Sequence, residues 1–286
     1  MEKTIEGWIC GAVAVFIFSG SMPATREALS GFSPVFLTAA RAALAGSVAF
    51  CLLISFRQAK PSARDFVSLF VVAAGAVLGF PLLSALALQQ INSAQSQIFM
   101  AILPLVTAIF GVIRGGERPR RGFWVFAVLG SFALMAVTLS HGGGMPRAGI
   151  GLMLAGIIVC ALGYAEGARL SRRLGGWQVI CWALVLAMPV SLLLGWLSQP
   201  KDFVQIPVGA WLGLGYVSFF SMLIGFVFWY RGLALGGITT VGQIQLLQPG
   251  LGLIASAVVL NEVVPDATIW TVLGVVICVG GARRFS

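Results

Sequence analysis

The sequence predicts an all-α integral membrane protein of ten transmembrane helices, built as two inverted five-helix repeats. Three observations predict it. Of 286 residues, 59% are hydrophobic and 9% charged, against about 25% charged in an average globular domain, and the mean hydropathy is +0.99. The apolar residues gather in ten runs of membrane-crossing length, and features of the fourth run recur in the ninth. A water-soluble fold of this composition would lack the polar surface to cover itself, which excludes a cytosolic enzyme or a nucleic-acid binder. The net charge of +9 does not require a polyanion, because the basic residues sit in short clusters between apolar runs.

A helix needs about 20 apolar residues to cross a hydrocarbon core of about 30 Å. Runs of that kind occupy 5–24, 33–55, 65–88, 93–113, 122–140, 149–168, 177–198, 208–232, 238–260 and 267–283, here spans 1 to 10. Span 1 follows Glu2, Lys3 and Glu6 rather than a basic stretch, and no small-residue cleavage pattern succeeds it. It is therefore read as a retained span and not as a signal peptide. The connections, such as 57–64, 114–122, 141–149 and 199–207, are short and hold Gly, Pro and charged residues. One membrane domain fills the chain.

With ten spans, both ends and the loops after spans 2, 4, 6 and 8 share a side. Fourteen of the 18 Lys and Arg residues fall there, including Lys3, Arg57, Arg64, Arg114, Arg118, Arg169, Arg172, Arg173 and Arg231. Arg26, Arg147 and Lys201 fall opposite, and Arg41 lies within span 2. This asymmetry predicts an inner-membrane protein with both termini in the cytoplasm.

Span 4 reads QSQIFMAILPLVTAIFGVIRGGE and span 9 reads GQIQLLQPGLGLIASAVVLNE. In each, a proline precedes a glutamate by thirteen positions, Pro104 to Glu117 and Pro249 to Glu262, at an offset of 145. Upstream, LALQQI at 86–91 answers LALGGI at 233–238. The repeat units are 1–140 and 149–286. Five spans per unit is an odd number, so the second unit enters the membrane inverted, the usual build of a secondary transporter.

The L-A-L motif before spans 4 and 9, the Pro-to-Glu spacing and Arg41 early in span 2 resemble the drug/metabolite transporter superfamily in its EamA branch. Within it the chain is most similar to YddG-type exporters of aromatic and other apolar amino acids. The resemblance implies a ten-helix carrier of a small-molecule substrate.

Pro81, Pro104, Pro189 and Pro249 lie inside spans. Each removes a backbone donor and frees the carbonyl four residues earlier, which either serves packing or lines a cavity. The helical stripe before Pro104 holds Ser96, Phe99, Met100 and Leu103, and the one before Pro249 holds Val241, Gln245 and Gln248. Two glutamines on one face of a lipid-embedded helix are costly unless they face protein or water. They either bond a neighbouring helix or face a central cavity opposite the Phe99–Met100–Leu103 wall. Span 3 adds Phe80, Leu83 and Ser84, and span 6 adds Tyr164. An amphipathic ligand with a ring suits this mixture.

Two charges lie within spans. Arg41 either draws a substrate carboxylate or pairs with Glu27, and Glu166 is expected to meet Arg169 or Arg173 on its own helix. His141 is placed in a Gly-rich outer loop, solvated. The five cysteines stand singly in apolar runs, as small buried hydrophobes. No metal-ligand spacing or cofactor motif appears, and none of H-E-x-x-H, G-x-S-x-G or a paired carboxylate motif lies in the spans, which argues against an enzyme. The spacings Gly7/Gly11, Gly75/Gly79, Gly111/Gly115, Gly209/Gly213 and Gly232/Gly236 read as close helix contacts and fix no oligomeric state. The leading reading is an exporter of amino acids or similar small metabolites. The alternatives are a carrier of sugar-nucleotides or lipid-linked head groups, whose phosphates would want several cavity cations, and a non-transporting structural subunit.

Overall fold

The computed structural model describes residues 2–141 and 146–260, together with 274, 278, 281 and 284. Every regular element among them is helical. Glu262 and all of span 10 except 274, 278 and 281 lie outside the described residues.

The first apolar stretch forms α1 (Glu2–Ser19) and α2 (Ser21–Ala28), which meet at Gly20. A Cβ there would sit 2.5 Å from the Tyr216 hydroxyl, so any side chain at the junction would have to displace that ring. Helix α3 (Pro34–Ser55) begins at a proline whose missing N–H costs nothing in the first turn, and Ser33 caps it by accepting from the Phe36 N–H at 3.2 Å. Ser62 and Asp65 form a capping box that starts α4 (Ala63–Val72). The chain then winds as a π-helix over Ala73–Gly79 before α5 (Phe80–Leu88).

Span 4 is two helices, α6 (Ser93–Met100) and α7 (Leu103–Gly115). After α8 (Arg121–His141), α9 (Arg147–Leu174) and α10 (Gly176–Leu197) come α11 (Val208–Gly215), a second π-wound stretch over Tyr216–Gly225 and α12 (Phe226–Gly236). Span 9 is α13 (Ile238–Gly242), a 3₁₀ stretch over Gln243–Leu247 and α14 (Gln248–Leu260). His141 is the last residue of α8 and not part of a loop.

Six helical stretches among the described residues are long and apolar enough to cross a membrane: Glu2–Ala28, Pro34–Ser55, Ala63–Leu88, Arg147–Leu174, Gly176–Leu197 and Val208–Gly236. Spans 4 and 9 are not single helices of that length, and proline is the physical reason. Pro104 and Pro249 each stand second in a new helix, where an absent N–H leaves no bond unmade. The preceding turns relax into a break at Ala101–Ile102 and into 3₁₀ geometry at Gln243–Leu247. Pro81 likewise stands second in α5, just past its π-wound stretch, while Pro189 lies inside α10.

Lipid offers no hydrophobic drive for helix association, so close backbone contact must supply it. The glycine pairs of α1 and α12 face each other. A Cβ on Gly7 would lie 2.7 Å from the Gly236 nitrogen, and one on Gly232 would lie 2.9 Å from the Gly11 nitrogen. Helices α3 and α10 pack along their lengths, and α9 contacts α4, α5, α7, α10 and α12 at the centre. Phe16, Phe70, Leu192, Trp196 and Leu212 are exposed, as lipid-facing residues must be. Of the cysteines, Cys10, Cys160 and Cys181 are buried as expected for small hydrophobes, but Cys51 is exposed on α3.

All five ion pairs among the described residues lie at the arginine-rich end of the bundle. Arg114 of α7 and Arg169 reach Glu166, Arg173 reaches Asp65, Arg231 reaches Glu6, and Arg172 meets Glu117 at 2.7 Å. Glu117 also accepts from the Ile238 and Thr239 N–H groups, both at 2.7 Å, capping α13 across the bundle. Gly237, with φ 92°, makes the sharp turn that aims those donors. This gives the glutamate of the Pro-to-Glu pattern a structural task. Glu117→Ala is expected to cost about 1–2 kcal/mol, the usual worth of a lost N-cap, read as a lowered melting temperature in detergent. Glu117→Gln should recover part of it by keeping one acceptor.

Candidate functional site

The distorted segments converge. Between α1, α2, α3, α5, α6, α9, α12, α14 and the two π-wound stretches lies a chamber of about 30 Å³, room for a few ordered waters. The π-wound stretches contribute Ala76 and Ser221 to its wall, 145 positions apart, the same offset that relates Pro104 to Pro249. Local π-winding turns side chains off the regular helical stripe and is frequent at functional sites.

One side of the chamber is polar. Ser21 donates to the Ser221 hydroxyl at 2.8 Å, Ser84 donates to the Pro81 carbonyl at 3.2 Å, and Thr25 joins them. Gln248 donates to the Phe18 carbonyl of α1 at 3.4 Å while lining the chamber. It thus bonds a neighbouring helix and faces the cavity at once. The other side is aromatic. Tyr164 packs against Phe226 and Trp229 with ring centroids 5.7 and 5.3 Å apart, and Phe18 lies 5.3 Å from Phe226.

Arg41 stands in this wall. It is 6% exposed, and its one hydrogen bond is a 3.5 Å contact from Nη2 to the Ser221 hydroxyl. Its Nε is buried without a partner. The pairing with Glu27 does not form; the Glu27 carboxylate lies by Gly209 of α11 instead. Among the described residues Arg41 has no carboxylate partner. Taking a guanidinium out of water costs several kcal/mol unless an anion meets it.

The structure distributes the sequence candidates unevenly. Phe80, Ser84, Met100, Tyr164, Gln248, Pro81 and Arg41 line the chamber. Phe99 and Leu103 are buried in the surrounding core, Leu83 is half-buried against Gly156 of α9, and Pro104 and Pro249 begin helices away from the lining. Gln245, buried against Tyr164, and Gln243 beside it are not among the residues that line the chamber. Glu166 is fully buried and bonded to Arg169 at 2.8 Å and to Arg114; Arg173, the other expected partner, is taken by Asp65. Glu166 therefore belongs to the arginine-rich end. Sequence reasoning passed over Phe18, Ser21 and Met22 in span 1 and Thr25 just beyond it. Their i, i+3, i+4, i+7 spacing was a readable signal.

Comparison with known proteins follows the same outline. The profile of the EamA-like transporter family matches twice, over residues 5–139 and 147–283. The chain is 57% identical over 286 residues to the uncharacterized transporter YdeK of Bacillus subtilis (strain 168), covering 100% of both. It is 24% identical to a probable terminal-alkyne amino-acid exporter of Streptantibioticus cattleyicolor, over 88% of this chain and 85% of that one. A crystal structure at 20% identity superposes with a TM-score of 0.72 over 96% of this chain and 94% of the other, a likeness of fold. The two profile matches together cover nearly all of the sequence: the chain belongs to the EamA-like transporter family and is a multi-pass membrane transporter.

Proposed function

We propose that the chain exports small amphipathic carboxylates, foremost amino acids with apolar or aromatic side chains, in the manner of the YddG-type exporters it resembles. The carrying observation is Arg41, a buried cation without a carboxylate partner, in a chamber whose other walls are hydroxyls, one amide and aromatic rings. A substrate carboxylate completes the guanidinium's bonding. The hydroxyls of Ser21, Thr25 and Ser84 and the Gln248 amide oxygen accept from an ammonium, and Phe80, Tyr164 and Phe226 flank an apolar side chain. A cavity of about 30 Å³ is too small for an amino acid, so the helices part to admit one.

Alternating access between two inverted repeats, 1–140 and 149–286, supplies that motion. The paired π-wound stretches, the paired breaks before Pro104 and Pro249, and a family profile that matches once per half support this arrangement. The Lys and Arg asymmetry supports an inner-membrane location with both termini cytoplasmic. The relative named as an amino-acid exporter supports the substrate class, and a single arginine in the chamber wall disfavours nucleotide-sugars, whose phosphates need more.

Efflux from proteoliposomes preloaded with labelled phenylalanine, threonine, phenethylamine or a UDP-sugar tests the reading. Phenylalanine is expected to leave well above the protein-free rate and phenethylamine, which lacks the carboxylate, at that rate. Faster efflux of the UDP-sugar alone, or equal efflux of phenylalanine and phenethylamine, would refute it.

A further inference from the structure

At the arginine-rich end, between the start of α4 and the last turns of α9, a second cavity of about 340 Å³ is lined by Arg64, Asp65, Ser68, Arg169, Leu170 and Arg173. It shares no residue with the Arg41 chamber. Its acids are already engaged. Asp65 is 2% exposed and accepts from the Ser62 N–H at 2.9 Å, from the Ser62 hydroxyl at 2.7 Å and from Arg173. Glu166, one turn before Arg169, holds both Arg169 and Arg114. Arg169 also donates to the Ser68 hydroxyl at 2.9 Å. Three arginines thus share two carboxylates, and a fourth, Arg64, makes no ion pair with any described residue.

The surface beside this pocket is apolar. Phe66, Val67 and Phe70 of α4 are 43%, 69% and 65% exposed. A free anion would use the guanidiniums and leave that wall uncovered, whereas an amphiphile with an anionic head uses both. Basic pockets between transmembrane helices at a membrane surface bind phosphate head groups, and guanidinium forks match phosphate oxygens in charge and geometry. We propose that this pocket binds the head group of an anionic phospholipid, with an acyl chain along Phe66 and Phe70.

Arg64 is the residue to vary, because its removal breaks no pairing seen in the structure. The full chain, purified in detergent with a defined mixture of phosphatidylglycerol and phosphatidylcholine, is examined by native mass spectrometry for retained lipid. Phosphatidylglycerol is expected to be retained over phosphatidylcholine. Arg64→Gln should weaken that retention about fivefold, the scale of one arginine at a charged membrane surface, while Arg64→Lys keeps most of it. Phe70→Ser should weaken it too, whereas inorganic phosphate should not displace the lipid. Equal retention of the two lipids, no change in Arg64→Gln, or displacement by millimolar phosphate would each overturn the proposal. Phenylalanine efflux in phosphatidylcholine vesicles should be the same for Arg64→Gln and the parent, which separates failure here from failure of the substrate assignment.

Discussion

Arg41→Gln is expected to lower phenylalanine export by about 100-fold or more while leaving the folded protein at least as stable as the parent. Both halves of that result follow from the same geometry. A guanidinium 6% exposed, with one 3.5 Å hydrogen bond and an unpartnered Nε, destabilises the substrate-free bundle. Removing it relieves that cost. A bound carboxylate would make charge-assisted hydrogen bonds worth about 1.5–3 kcal/mol each, and about 1.4 kcal/mol is a tenfold change. Two such bonds account for the expected loss. Arg41→Lys keeps the charge but not the planar fork and should fall between. Initial efflux rates in proteoliposomes, with melting temperatures of the same preparations, check this. A variant that transports normally, or one that loses transport only because it unfolds, would make Arg41 a structural residue.

Gly232→Leu should yield no monodisperse protein, and Gly232→Ala should lose about 3 kcal/mol, near the upper end for overpacking a tight contact. At this crossing of α1 and α12 a Cβ would lie 2.9 Å from the Gly11 nitrogen and 3.0 Å from the Gly7 carbonyl oxygen. Both are backbone atoms that cannot rotate aside. Relief requires the helices to separate, which surrenders the close contact that holds them together in lipid. Gly151 on α9 is the control, since a Cβ there meets nothing within 4 Å. Gly151→Ala should match the parent or exceed it slightly by helix propensity. Size-exclusion profiles and thermal melts of the three variants in detergent provide the measurement. Equal behaviour of Gly232→Ala and Gly151→Ala would contradict it.

Much of the fold was legible because membrane segments obey a coarse rule: backbone polar groups must be satisfied within the segment, so long apolar runs are helices. Run length and loop composition located α3 and α10 to within a residue, and α9 except for its last six residues. The breaks in spans 4 and 9 were legible as prolines but not as helix starts. Whether a proline kinks a helix or begins a new one depends on what the preceding turn can bond to, which is a tertiary matter.

The site was legible in part. Phe80, Ser84, Met100, Tyr164 and Gln248 lie on stripes that hydrophobic periodicity can point to. Leu83 and Gln245 share those stripes but fall outside the chamber lining, because π and 3₁₀ winding shift the angular phase of spans 3 and 9, while Phe99 and Leu103 of span 4 pack into the surrounding core. Ser221 stood in a run that reads as plain lipid-facing helix until its winding is known. The failed pairing of Arg41 with Glu27 has a similar cause. Sequence proximity suggested it, while the packing of α2 on α11 carries Glu27 to Gly209.

We expect the two halves to cross the membrane in opposite senses around the Arg41 chamber. Single cysteines at Arg118 and Asp266, near the paired glutamates in sequence, report this in a background free of the five native cysteines. With a membrane-impermeant maleimide applied to intact cells and to inverted vesicles, Asp266→Cys should label only in cells and Arg118→Cys only in inverted vesicles. Labelling of both from the same side would contradict the inverted arrangement and with it the placement of the chamber between two opposed halves.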